Sequence, residues 1–179
     1  YGWLLGVPLI VILALVGEAL GIGGSQVLVG LGMGTGIGLL QGRAIRPLLP
    51  RPAAWRASCI VGLALPFLVT DLAPAVGREL PYSLPLAVAL GGLLIGVWQA
   101  FLLRPHVQAP GWWILANAVG WTLAAGMALL ADSWVRGQAI RGVPGALLYL
   151  GLVAGGGLIL GLVTGVVLPR LLRPIKGSP

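Results

Sequence analysis

The residues that could do chemistry in this chain are few, and they are amides. Gln41 and Gln99 each stand five residues before an arginine, Arg46 and Arg104, about 7.5 Å along a helix from the charged lip at a rise of 1.5 Å per residue. Asn117 lies five residues beyond Trp112 and falls in the same layer. Three carboxamides at one level could bind a polar headgroup or small ligand entering from the arginine-bearing side. The same groups could instead bond helix to helix, at about 1 kcal/mol each. Thr35, Ser58, Thr122 and Thr164 are expected to back-bond to their own helices.

Other chemistry finds no support. His106 is the only histidine, with no acid–serine pair beside it, no H-E-x-x-H and no paired carboxylates. Cys59 is alone, so neither an internal disulfide nor a cysteine metal cluster can form. The glycine runs lack the Lys-Ser/Thr ending of a phosphate-binding loop. No catalytic, metal-ligating or cofactor-binding residue is expected, and the protein is expected not to be an enzyme. Glu18, Asp71 and Asp132 fall at the ends of apolar stretches, so the midplane carboxylate of a proton-coupled transporter is missing from the pattern.

These residues must be positioned by elements that live in lipid. Of 179 residues, 58% are hydrophobic and only 8% charged, too few charges to wet the surface of a soluble domain. A span needs about 20 predominantly apolar residues, and six such stretches occur, at about 3–21, 26–45, 54–72, 83–103, 111–131 and 144–169. They are too long and too unalternating for barrel strands, so the expected fold is all-α: a polytopic bundle of six transmembrane helices in one transmembrane domain covering 1–179. The connection from Asp132 to Val143, with Trp134 and Ile140, is expected to be the longest outer loop.

The net charge of +7 reads as a topology signal, and no nucleic-acid partner is expected. Arg43, Arg46, Arg51 and Arg56 lie between the second and third stretches, Arg104 after the fourth, and Arg170, Arg173 and Lys176 after the sixth. The opposite side has Arg78, Arg136 and Arg141 beside Glu18, Asp71, Glu79 and Asp132. Eight bases oppose three, which by the positive-inside rule makes the first side cytoplasmic and puts both ends of this chain there. Arg46, Arg104 and Arg173 are expected at lipid headgroups, and Trp3, Trp55, Trp112 and Trp113 in the headgroup layer. Because the chain begins at Tyr1, a preceding segment is expected.

One frame recurs. The second stretch ends Gly34-x3-Gly38-x2-Gln41-x4-Arg46-Pro47 and the fourth Gly92-x3-Gly96-x2-Gln99-x4-Arg104-Pro105. The sixth ends Gly161-x3-Gly165-x2-Leu168-x4-Arg173-Pro174, with leucine in place of glutamine. The chain thus reads as three tandem hairpins inserted in the same sense, about 1–52, 53–110 and 111–179. Glycines four apart clear one helix face so that a neighbouring backbone can approach. Such ridges are expected at Gly30, Gly34 and Gly38, at Gly92 and Gly96, and at Gly157, Gly161 and Gly165, with Gly120 on a small-residue face of the fifth stretch. Gly32 and Gly36 form a second ridge about 200° around the second stretch.

The segments Gly91-Gly92-Leu-Leu-Ile-Gly96-Val-Trp98-Gln99, ending at Leu103-Arg104, and Gly111-Trp112-Trp113-Ile-Leu-Ala-Asn117-Ala-Val-Gly120-Trp121 resemble a group of glycine-rich multispan membrane proteins of filamentous phototrophic bacteria and cyanobacteria. That group repeats a G-G-x-x-x-G-x-x-Q-W-x-x-L-R-type helix, often followed by a G-W-W helix. The resemblance implies a bacterial, polytopic protein of the inner membrane and carries no activity with it. Two roles are therefore expected. One is a structural or accessory subunit that packs against other membrane subunits, or against itself, through its glycine faces. The other is a binding or transport module for a small molecule or lipid, similar in size and span number to the substrate-capture subunits of vitamin uptake systems, with Gln41, Gln99 and Asn117 contacting solute.

Overall fold

The computed structural model describes residues 2–47, 49, 52–78, 80, 83–137 and 142–171, and every regular element among them is helical. The order is α1 (Gly2–Ala19), α2 (Val27–Ala44), α3 (Ala53–Leu72) with a single 3₁₀ turn at Pro74–Val76, α4 (Ser83–Leu103), α5 (Gly111–Gly137) and α6 (Gly142–Leu171). The main difference from expectation lies between α5 and α6. Asp132 to Gly137 continue α5 as helix, so most of the expected outer loop does not exist; Ile140 and Arg141 lie outside the described residues. So do Arg51, Glu79, Arg173 and Lys176.

Among the described residues four helices are long and apolar enough to cross a membrane: α3 with its following turn, α4, α5, and α6 from Ala154 to Leu171. The apolar part of α1, Leu5–Ala19, is shorter. Large apolar side chains cover the outside of the bundle, at one-turn spacing on α6, where Leu158 and Leu162 are 70% and 68% exposed. Water would penalise such a surface, while hydrocarbon does not. Membrane localisation follows from this surface and from the four helices.

The helices form a ring in chain order, each packed against its neighbours in sequence, while α6 meets α1 only sparsely. Backbones never approach across the middle; only side chains do. Bare glycine faces let the neighbours come close. On α2, a Cβ at Gly34 would stand 2.6 Å from the Cys59 carbonyl oxygen of α3, and one at Gly36 would stand 2.5 Å from the Gly6 nitrogen of α1. Gly30 and Gly38 also face α3, and Gly32 faces α1, so α2 is held on two sides. Gly92 takes the Trp121 ring of α5 against its face, Gly96 stands over Asn117 and Ile114, and Gly120 lies under Leu160 of α6.

At the end of the ring remote from Arg43, α2 starts with no side-chain cap from its own Gln26. The cap comes from α3. Both carboxylate oxygens of Asp71 accept from backbone N–H groups, one from Gln26 and one from Val27, at 2.8 Å each. A negative charge at the positive end of the α2 dipole adds to those bonds. Thr70 Oγ1 also approaches Gln26 Oε1 at 3.3 Å. Asp71→Ala is expected to destabilise the protein by about 1–2 kcal/mol and Asp71→Asn by less, because asparagine keeps one acceptor oxygen. Thermal unfolding in mild detergent measures the order; equal losses for the two variants would show that the carbonyl acceptor is not what matters.

Candidate functional site

Near the arginine-bearing end of the bundle the two glutamines converge. Gln99 of α4 is fully buried. Its Oε1 accepts from Trp113 Nε1 of α5 at 3.0 Å, and its Nε2 donates to Cys59 Sγ of α3 at 3.3 Å and to Gln41 Oε1 of α2 at 3.5 Å. Gln41 Oε1 also accepts from Trp55 Nε1 at 3.2 Å and from the Cys59 thiol at 3.6 Å. Four helices thus meet in one hydrogen-bonded cluster. Across its centre the Trp55 and Trp113 rings lie 5.8 Å apart at a tilt of 48°.

Each glutamine bonds the tryptophan 14 residues further along the chain, at the start of the following helix. An indole N–H has no water to bond in the interior, so each pair satisfies a donor that would otherwise be buried unpaired. The expectation that Trp55 and Trp113 occupy the headgroup layer is therefore corrected. They are 2% and 3% exposed and point inward, whereas Trp112, at 60%, faces out. Trp3 begins α1, and its ring is outside the described residues.

Asn117 does not join this cluster. It is buried, and its Nδ2 donates to the Trp113 carbonyl one turn earlier in α5 at 3.0 Å. The structure brings Gln41 and Gln99 together and leaves Asn117 bonded within its own helix. Ser58 and Thr164 likewise bond back, to Trp55 O and Leu160 O at 2.7 Å each.

Beside the cluster is a cavity of about 290 Å³, bounded by α1, α2, α3, α5 and α6. Trp55 and Trp113 form aromatic walls, and Leu160 and Leu168 aliphatic ones. Gln41, half-buried, lines it, and among the described residues no acceptor meets its Nε2. Thr164 lines it too, with its hydroxyl proton already given to Leu160. On the α6 side the wall includes the ridge Gly157, Gly161 and Gly165. Here the packing expected of α6 is corrected. Among the described residues no atom of a neighbouring element stands within 4 Å of where a Cβ would be at Gly161 or Gly165, so at these two positions the ridge faces open space. Two of the five closed seams, α2–α3 and α4–α5, carry a Gln–Trp pair. Leu168 stands on α6 at the seam that does not close.

Arg46 and Arg104 are exposed. A second groove, of about 500 Å³, gathers Arg46 with Arg43 and Arg56. Sequence reasoning missed Trp55, Trp113 and Cys59 as cluster members. The recurrence of Gln-x13-Trp at 41/55 and 99/113 was the available signal. Comparison of the chain with known protein families, with curated proteins and with solved structures gives no match.

Proposed function

We propose that the chain is a non-enzymatic integral membrane protein whose open seam between α1 and α6 holds a slim apolar guest, such as an acyl chain or a small molecule with one hydrogen-bond acceptor for Gln41. The observation that carries this reading is the unfilled ridge at Gly161 and Gly165, set opposite two tryptophans and a free amide nitrogen. Apolar cavities of about 150 Å³ already take up benzene-sized guests, and this one is nearly twice that size. Most of the other glycine ridges are occupied within the chain, which leaves few small-residue faces for a partner.

The reading includes six spans as three hairpins, 1–52, 53–110 and 111–179. In its support, α2 runs alongside α3 from the Asp71 cap to Gly38 against Arg56, so the two share one depth. The recurring Gln–Trp pair supports the repeat. The charge distribution supports a cytoplasmic arginine end, and the sequence resemblance a bacterial inner membrane.

A second reading places a helix of another subunit, or of a second copy, on the same α6 ridge, which makes the chain an accessory subunit. The sparse α1–α6 contact favours it. Gly161→Leu separates the two when the protein is reconstituted with phosphatidylcholine whose acyl chains carry bromine. If a guest chain enters the seam, tryptophan quenching falls in the variant, because Trp55 and Trp113 lose their contact while the exposed Trp98, Trp112 and Trp134 do not. Equal quenching in both proteins, together with a particle mass that drops in the variant, would instead establish the subunit contact.

A further inference from the structure

The groove holding Arg43, Arg46 and Arg56 shares only Leu40 with the seam cavity and has a different chemistry. It lies where α2 ends and α3 begins. Three arginines line it, and none of the described acids does. Asp71 caps the opposite end of α2, about 25 Å away at 1.5 Å per residue, and Glu18 is at the far end of α1. The positive charge gathered here therefore has no carboxylate among the described residues to neutralise it.

Two further features shape the groove for an anion. Pro52, which precedes α3 and lines the groove, gives no side-chain cap, so the positive dipole end of α3 lies uncapped beside the arginines. The stem of Arg56 crosses the bare face of Gly42, where a Cβ would meet Arg56 Cγ at 2.9 Å. That contact fixes the path of the side chain and leaves Arg56 half-buried, while Arg43 and Arg46 are exposed. The rest of the groove is apolar. Leu5 of α1 with Leu39 and Leu40 of α2 continue it away from the arginines toward the lipid-facing surface.

We infer that this groove binds an anionic phospholipid, its phosphate among Arg43, Arg46 and Arg56 and one acyl chain along Leu5, Leu39 and Leu40. Basic pockets between membrane helices take headgroups of this kind. The apolar wall selects a lipid over free phosphate, because inorganic phosphate would leave three leucines without a partner. The inference is independent of what occupies the seam.

Native mass spectrometry and thermal unfolding of the whole protein in mild detergent test it, with dioleoylphosphatidylglycerol, dioleoylphosphatidylcholine and inorganic phosphate as separate probes. Phosphatidylglycerol is expected to be retained at least about tenfold more than phosphatidylcholine, as about three surface-type arginine contacts allow. Replacing Arg43, Arg46 and Arg56 by glutamine should abolish the preference, and Arg104→Gln, outside the groove, should leave it. Gly42→Val keeps every charge but displaces Arg56, so it should weaken retention several-fold. Each single glutamine variant is read alongside, so that misfolding of the triple variant does not hide the answer. A wild-type protein without preference, or glutamine variants that all keep it, would overturn the inference. Inorganic phosphate displacing the lipid at equal concentration would also overturn it, by reducing the groove to an anion site.

Discussion

Gly34→Ala is expected to lower stability by about 3 kcal/mol or more, and Gly36→Ala by a similar amount, whereas Gly161→Ala leaves it unchanged or raises it by up to about 1 kcal/mol. All three substitutions add the same methyl group to a helical glycine, and the helix propensity gained is the same in each case. What differs is the neighbour. At Gly34 the methyl would meet the α3 backbone at Cys59 and Ile60, 2.6 and 2.7 Å away, and at Gly36 the backbone of Gly6 at 2.5 Å. Backbone cannot rotate aside as a side chain can, so α2 must move off its partner along its whole length and give up the contacts of both ridges. At Gly161 nothing stands within 4 Å. Thermal unfolding in mild detergent reads this as a fall of roughly 6–12 °C for Gly34→Ala, with no fall for Gly161→Ala. A fall at Gly161 as large as that at Gly34 would mean that the α6 ridge is packed in the particle.

Gln99→Leu is the second large effect. Leucine has nearly the volume of glutamine and suits the apolar surroundings, so packing alone predicts little change. The loss comes from what is left behind. Trp113 Nε1, 3.0 Å from Oε1 of the fully buried Gln99, would lose its acceptor to a side chain that has none. An orphaned buried donor costs about 1–3 kcal/mol. Removing the donor as well should restore part of that, so Gln99→Leu with Trp113→Phe is expected to be more stable than the sum of the two single changes implies. A thermal-unfolding double-mutant cycle measures the coupling; strict additivity would show that the bond contributes nothing. Gln41→Leu is expected to cost less, since Gln41 is half-buried and lines the cavity, so that water or a guest can take the place of its amide, whereas Gln99 is fully buried and does not reach the cavity.

Much of the fold was legible because hydropathy and helix length are set by the same quantity, the thickness of hydrocarbon. The stretches 54–72 and 83–103 coincide within a residue with α3 and α4. The method fails where the two part company. Asp132-Ser133-Trp134-Val135-Arg136 reads as the end of a span because it is polar, yet backbone hydrogen bonding carries the helix on to Gly137. Hydropathy locates the edge of the lipid, and only the bonds locate the edge of the helix.

The site was less legible, because a linear pattern gives depth but not azimuth. Trp112 and Trp113 lie at one level, and placing both in the headgroup layer follows from level alone. They are about 100° apart on α5, which sends one outward and the other to the core. The glycine frame of α6 has the same limit. Its spacing matches that of α2 and α4, but spacing describes the ridge and not whether another backbone is there to receive it. The departure lay in Leu168, a leucine at the register position that Gln41 and Gln99 hold in the other two frames.

A ring joined mainly between sequence neighbours has a low contact order, so each helix can dock on its predecessor as it leaves the ribosome, without waiting for residues still to be synthesised. Closure at α6 and α1 is the last event and the one with the least adhesion behind it. The polypeptide therefore reaches nearly its full cohesion before the loop is shut, and the final joint is free to part sideways into the bilayer while the other five remain fastened.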